Sequence, residues 1–304
     1  MSIKDKIRDN FWGAYCISLL HCAESSILPR IIDDKNAILR DYRKRSDKDL
    51  DLDNPTTFSE KNNWYKLNNH NPLMERCADK VEVRSYVEAK GFGDTLIELI
   101  GVYDRVQDID YDKLPDRFVM KASHGSHMNY IVDNKPQFNY KQANRMMKTW
   151  LHQDIYWSRR EWVYKNLKKR IIVEKYLEDK TGGLSDYKFF CFNGKPAFLQ
   201  YNCNRFSKDI VQNFYDLEWN LLPFGKSIPH NPNVDIQKPK VFDKMIEIAT
   251  ALCEPFQFVR VDLYEVNDRI YFGEMTFFPA GGTPDFIPEE YDEIVGKMWE
   301  IEYD

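Results

Sequence analysis

Two apolar runs, Asp186 to Phe192 and Lys195 to Tyr201, are separated only by Asn193-Gly194. Asn-Gly supplies the positive-φ positions of a tight turn, and no other short signal commits a chain so firmly to an antiparallel hairpin. A two-residue turn pairs Lys188 with Leu199. Strand side chains alternate, so Asp186, Lys188 and Phe190 share one face. A lysine in mid-strand among aromatics is poorly explained by solvation alone.

A second pair of strands carries a similar oddity. From Phe258 to Tyr264, Val259, Val261 and Leu263 lie on one side, and Arg260, Asp262 and Tyr264 on the other. From Ile270 to Phe277, Ile270, Phe272, Glu274 and Thr276 oppose Tyr271, Gly273, Met275 and Phe277. In an antiparallel hairpin Asp262 and Glu274 share a face only for odd loop lengths, and a three-residue loop at Asn267-Asp268-Arg269 sets them directly opposite. Two carboxylates that close repel unless one is protonated or a cation intervenes. Two readings stand: an edge hairpin with a solvated acidic face, the ordinary fate of acids on strands, or a pair holding a hard divalent ion such as magnesium through oxygen.

At 304 residues the chain has room for about two domains, and 43% hydrophobic with 14% aromatic residues excludes a disordered chain. A net charge of −5 gives no global electrostatic case for nucleic acid. The runs Arg43-Lys44-Arg45 and Lys168-Lys169-Arg170 read as solvated faces. Six cysteines without a CxxC spacing read as reduced thiols in a cytoplasmic protein. The apolar run from Phe11 to Ala23 is too short to span a bilayer and has no small-residue cleavage site, so neither a signal peptide nor a transmembrane segment is expected. As an amphipathic helix it would pack on the core or rest on a partner or a membrane surface.

Along the chain, residues 1–53 read as helical and then charged, with Arg40 to Asp53 an exposed connection. Thr57-Phe-Ser-Glu60 is a capping box that opens a helix carrying Trp64 and Leu67. Asp79 starts a second helix that ends at Gly91. Leu96 to Tyr103 reads as a strand, and Leu114-Pro115 marks a subdomain boundary. Phe118 to Met120 form a buried strand that ends in Lys121. Ala122-Ser-His-Gly-Ser-His-Met128 and the returning Tyr130-Ile-Val follow. Small residues with free N–H groups beside an ammonium suit an anion, although neither common phosphate-loop pattern is present. His124 and His127 have no third ligand nearby and read as polar loop groups. Residues 139–167 read as helical, Ile171 to Leu177 as a strand that turns polar at Glu174, and residues 240–253 as an amphipathic helix leading into Phe258. Pro279-Ala-Gly-Gly282 permits close approach of backbone to a ligand.

In order and spacing, the segments Thr56 to Lys61, Asp79-Lys80 with Arg84, Leu114 to Lys121, Asp186 to Lys195, Val259 to Tyr264 and Phe272 to Thr276 resemble the ATP-grasp superfamily. The resemblance covers about residues 54–298 and is to the branch similar to the teichuronopeptide-biosynthesis protein TupA. It implies an α+β ATP-grasp fold with nucleotide held between two α+β subdomains. The implied divisions are a helical, charged extension over 1–53, a pre-grasp segment over 54–115, a first subdomain over 116–178 and a second over 179–304.

The family's roles fall on particular residues. Lys80 and Lys121 resemble the lysines that hold the α- and β-phosphates of ATP, and the loop from Ser123 to Met128, with Gly125 and Ser126, resembles the one that closes over them. Glu174, Lys175 and Leu177 resemble the hinge at the adenine edge, with Glu178 or Asp179 facing the ribose. Lys188 and Arg260 resemble the basic groups around the γ-phosphate and the developing acyl phosphate, and Arg205, after the return strand, is grouped with them. Asp262 and Glu274 resemble the Mg2+ ligands, with Thr276 third, where the superfamily commonly has Asn.

The implied function is an ATP-dependent carboxylate-amine ligase of surface-polysaccharide biosynthesis. It would join an amino acid or amine to a carboxylated, uronic acid glycan. The setting is cytoplasmic, with peripheral contact to membrane-bound glycan assembly at the inner face of the cytoplasmic membrane left open. A kinase of a glycan or small molecule and a non-catalytic nucleotide- or glycan-binding component are the alternatives.

Overall fold

The computed structural model describes residues 11–24, 31–178, 184–203, 211–226, 230 and 236–301. In chain order the elements are α1 (Phe11–Glu24), α2 (Asp34–Ser46), α3 (Phe58–Asn68), α4 (Pro72–Ala78), α5 (Glu82–Ala89), β1 (Leu99–Tyr103), β2 (Phe118–Ala122), β3 (Asn129–Val132), α6 (Tyr140–His152) and α7 (Tyr156–Arg159). After these come β4 (Ile171–Lys175), β5 (Ser185–Phe192), β6 (Lys195–Cys203), β7 (Val211–Asp216), α8 (Phe242–Cys253), β8 (Phe258–Val266), β9 (Arg269–Thr276) and α9 (Tyr291–Gly296). They form two compact units. One comprises the N-terminal residues to Ile38 with Ala78–Glu82 and Ile97–Tyr176; the other comprises Leu39–Cys77, Val83–Leu96 and the chain from Leu177 onward. No described helix is long and apolar enough to cross a membrane.

The first unit is built on an antiparallel sheet of order β1-β4-β2-β3. Alternation along β2 sends Phe118, Met120 and Ala122 inward, each fully buried, against Met147, Ala143 and Trp150 of α6. Asn139 caps α6 by accepting a hydrogen bond from the Gln142 N–H. The opposite face carries Lys121 from β2 and Glu174 from β4. Glu174 pairs with Val119, which makes Lys121 its diagonal neighbour.

The second unit is an antiparallel sheet of order β7-β6-β5-β8-β9. On one face Phe189 stacks on Phe242 of α8. On the other, Phe190, Phe192 and Phe258 surround Phe58, with Trp299 stacked on Phe258. Phe58 opens α3, whose start is set by the expected capping box: the Glu60 N–H donates to Thr57 Oγ1 at 3.2 Å, and the Thr57 N–H donates to Glu60 Oε2 at 3.0 Å. Losing a buried ring such as Phe58 costs roughly 3–5 kcal/mol. This aromatic face thus holds rigid the strands whose other ends are polar.

Register departs from the sequence reading at two places, each through a bulge. The Asn193-Gly194 turn forms with φ of 46° and 75°. A shift between Phe190 and Cys191 then pairs Lys188 with Gln200, not with Leu199. The second hairpin closes with a two-residue turn, Asn267-Asp268 at φ 54° and 62°, and Val266 pairs with Arg269. Asp262 still faces Glu274, because a register shift between Asp262 and Leu263 supplies the odd residue that the shorter turn lacks.

Helix boundaries moved as well. The charged run from Arg40 is helical through Ser46. Asp79 lies before the helix as its cap: its Oδ1 accepts from the N–H groups of Val81 and Glu82, and α5 begins at Glu82. Strand β1 starts at Leu99. Residues 139–167 do not form one helix, since α6 stops at His152 and only a four-residue helix and a 3-10 turn follow.

Candidate active site

In the first unit Lys80, Ser123 and Gly125, three of the residues expected at a phosphate clasp, form one hydrogen-bonded group. Lys80 donates from its backbone N–H to the Ser123 carbonyl at 3.1 Å and from Nζ to the Gly125 carbonyl at 2.6 Å. Ser123 is buried, with its N–H on the Arg170 carbonyl and its hydroxyl on the Lys168 carbonyl. Arg170 in turn grips Asp79 at 2.9 Å and Glu82 at 3.0 Å. A Cβ on Gly125 would lie 2.0 Å from the Cδ1 tip of Ile155, so a larger residue there would require that side chain to move. Ser126 and His127 are exposed at the loop's tip, and His127 adopts φ 60°. His124 is buried, donates from Nε2 to the Trp150 carbonyl at 3.0 Å, and has its pKa pushed by burial from 6.5 to about 4. It is a structural anchor.

Lys121 and Glu174 form an ion pair of 2.7 Å across the sheet. Lys175 is exposed and pairs with Glu98, while Leu177 and Glu178 follow β4 as half-buried residues. Asp179 and Arg205 lie outside the described residues.

In the second unit three strands bring four charged groups into two adjacent rows. Lys188, Asp262 and Glu274 are successive partners across β5, β8 and β9, and Arg260 faces Thr276 in the next row. Asp262 is fully buried. Arg260 binds both its oxygens, Nε to Oδ1 and the terminal nitrogen to Oδ2, each at 2.7 Å. Lys188 bridges Asp262 at 2.5 Å and Asp186 at 2.8 Å. Arg260 also donates to Thr276 Oγ1 at 3.1 Å and stands 3.9 Å from Glu274. Burial opposes the charge on Arg260, but Asp262, Glu274 and Asp186 outweigh it and raise its pKa above the usual value. The guanidinium therefore stays charged throughout the working pH range.

These residues suit a magnesium ion that arrives with phosphate. Magnesium takes one or two protein carboxylates and completes its shell with water and substrate oxygens. A carboxylate has about four lone-pair sites, and three N–H donors already occupy Asp262. Asp262 can thus offer one further direction. Glu274 is 34% exposed in its side chain, and Thr276 Oγ1 lies 3.5 Å from its Oε1. Among the described residues no group of three or more His, Cys, Asp and Glu side chains forms an all-protein cage.

Two groups of residues near this row were not singled out from sequence. Gln200, Asn202 and Gln212 are buried; Gln200 faces Lys188 and Asn202 faces Asp186, and both Gln200 and Gln212 donate to Asn202 Oδ1 at 3.1 Å. The other group lies on α3. Ser59, Asn62, Asn63 and Lys66 are all buried. They recur at i, i+3, i+4 and i+7, a core stripe written in polar residues, and that periodicity was the signal available. Lys66 Nζ donates to the Gly281 carbonyl at 2.8 Å, Asn63 to the Gly282 carbonyl at 2.8 Å, and Asn62 to the Phe277 carbonyl at 3.3 Å. Ala280, Gly281 and Gly282, at φ 53°, 62° and 75°, form a left-handed turn that this stripe holds directly after Thr276.

A family model described as TupA-like ATPgrasp matches residues 60–300. No curated protein matches the chain by sequence. Among solved structures, D-alanine–D-alanine ligase from Bacillus anthracis complexed with ATP aligns at 14% identity and a TM-score of 0.39, over 66% of this chain and 53% of that one. L-amino acid ligase from Bacillus licheniformis aligns at 15% identity and a TM-score of 0.43, over 68% of this chain and 44% of that one. The chain therefore spans about half the length of these structures.

Proposed function

Because the chain belongs to the TupA-like ATP-grasp family, we propose that it is an ATP-dependent ligase that joins a carboxylate to an amine. Within that reading, the carboxylate belongs to a uronic acid of a surface glycan and the amine is an amino acid or a simple amine. The observation that supports it is the row Lys188, Asp262, Glu274 with Arg260 beside it. Its charges suit phosphate and a metal ion, and it contains no Ser-His or Cys-His pair.

A carboxylate is a poor electrophile. Its oxygen attacks the γ-phosphorus of ATP and expels ADP, which gives an acyl phosphate. The amine nitrogen then attacks the acyl carbon and loses a proton, and phosphate leaves. Positioning and charge neutralisation carry such a reaction. Lys80, Lys121 and the loop from Ser123 to Met128 are assigned the nucleotide phosphates; Glu174, Lys175, Leu177 and Glu178 are assigned the base and ribose. Lys188 and Arg260 would stabilise charge on the transferred phosphoryl group, each held in place by Asp262. Asp262, Glu274 and Thr276 would hold magnesium, which when bound neutralises phosphate charge and polarises the phosphorus.

Incubation with Mg-ATP, a panel of amino acids and uronic acid acceptors, followed by mass spectrometry, tests the proposal. ADP, phosphate and an amide product are expected. A phosphorylated product without free phosphate would replace ligation by kinase activity, and no turnover of ATP with any acceptor would remove the ligase assignment.

A further inference from the structure

The reaction does not account for the outer surface of α1 and α6 in the first unit. Helix α1 carries apolar side chains on two opposite arcs. Its inner arc, Phe11, Ala14 and Tyr15, packs on the unit's core, Ser18 accepts from Gln153, and the Cys22 thiol donates to the Thr149 carbonyl. The opposite arc carries Trp12, Cys16, Leu19 and Leu20, all exposed, the three large side chains by 52%, 44% and 61%. At 100° per residue these four fall within one continuous stripe. A helix apolar on both sides is covered on both sides in the working protein.

The neighbouring surface indicates what covers it. Helix α6 exposes Lys141, Arg145 and Lys148 on one arc and contains no acidic residue. Arg145 lies over the Trp12 ring at 5.8 Å, so the basic arc borders the apolar stripe directly. Among the described residues no carboxylate pairs with any of these three cations. The one acidic residue of α1, Glu24, is its last. Three clustered cations are locally opposite to a chain of net charge −5. Apolar side chains at an interface with lysine and arginine alongside match the acyl boundary and the headgroups of an anionic bilayer.

We propose that α1 and the basic arc of α6 form a peripheral docking surface for an anionic lipid membrane. The proposal is independent of the reaction assigned above, and binding can be read without turnover. The full chain is sedimented with vesicles of phosphatidylcholine containing 30% phosphatidylglycerol and with vesicles of phosphatidylcholine alone. Sedimentation with the anionic vesicles only is expected, weakening as salt rises. Each basic side chain at such a surface is worth about a factor of five in affinity. Replacing Lys141, Arg145 and Lys148 by Gln together should therefore weaken binding more than ten-fold. Leu19→Ser with Leu20→Ser should abolish it, with circular dichroism unchanged in both because all five side chains are on the surface. Failure of the wild type to sediment with anionic vesicles overturns the proposal, as does equal binding to neutral vesicles. A dimer that dissociates in the Leu19→Ser, Leu20→Ser variant, without vesicle binding by the wild type, would assign the stripe to a protein partner instead.

Discussion

Asp262 sits directly across the β8–β9 ladder from Glu274 because Gly273 is left unpaired between Phe272 and Glu274. A Cβ on Gly273 would meet the Asp262 carbonyl oxygen at 2.9 Å and the Tyr264 ring at 3.0 Å. The first of these is backbone of the partner strand and cannot rotate away. Gly273→Ala should therefore open the bulge, slide Glu274 off Asp262 and cost about 1–3 kcal/mol of stability. Turnover should fall at least ten-fold. Wild-type turnover in this variant would show that the bulge does not set the alignment.

The two acids should respond differently to neutralisation. Asp262 is buried and serves as counter-ion to both Arg260 and Lys188. Asp262→Ala takes from Arg260 its paired carboxylate and leaves Lys188 only Asp186, and should cost about 3–5 kcal/mol. Glu274 is part-exposed, and Arg260 stands 3.9 Å from it. Glu274→Gln should keep the fold within about 1 kcal/mol and still lose turnover. Chemical denaturation alongside ATP hydrolysis separates these outcomes, and full activity of Glu274→Gln would sink the metal assignment.

The sequence exposed strand pairing and polarity more readily than register. Asn193-Gly194 and the alternation of Phe258 to Phe277 were legible because turn chemistry and side-chain period are local properties. Both registers were set by bulges near Phe190 and Gly273, which depend on packing against neighbouring strands that no local pattern records. The lysines and carboxylates were visible because charge inside an apolar strand is conspicuous. The Gln200, Asn202 and Gln212 cluster was not, because neutral amides also suit an exposed strand face; only the folded sheet buries them together.

His124 gives a pH signature. Burial lowers its pKa from 6.5 to about 4, so between these values the unfolded chain binds a proton that the folded chain excludes. Its contribution is complete above pH 6.5 and is lost as pH falls toward 4. At about 1.4 kcal/mol per unit, this loss is on the order of 3 kcal/mol. His124→Gln retains a donor that can reach the Trp150 carbonyl but has no charge to gain. Denaturation curves at a series of pH values should show wild type losing more stability than His124→Gln over this interval, with the shared carboxylate titrations cancelling. Parallel curves would mean that the imidazole is protonated without opening the loop.

The polar stripe of α3 predicts a loop effect separable from metal binding. Lys66 places a buried ammonium on the Gly281 carbonyl, and Asn63 holds the next one. A charged hydrogen bond of this kind contributes about 1.5–3 kcal/mol, and the left-handed turn from Ala280 to Gly282 needs such support because Ala280, unlike the glycines, is strained at φ 53°. Lys66→Met keeps most of the side-chain volume and removes the donor. Amide hydrogen exchange over 278–283 should accelerate ten-fold or more, with kcat falling while ATP affinity stays within about two-fold, since the residues assigned to the nucleotide phosphates lie on other segments. Unchanged exchange in Lys66→Met would show that Asn63 and the chain's own turn geometry suffice to hold the loop.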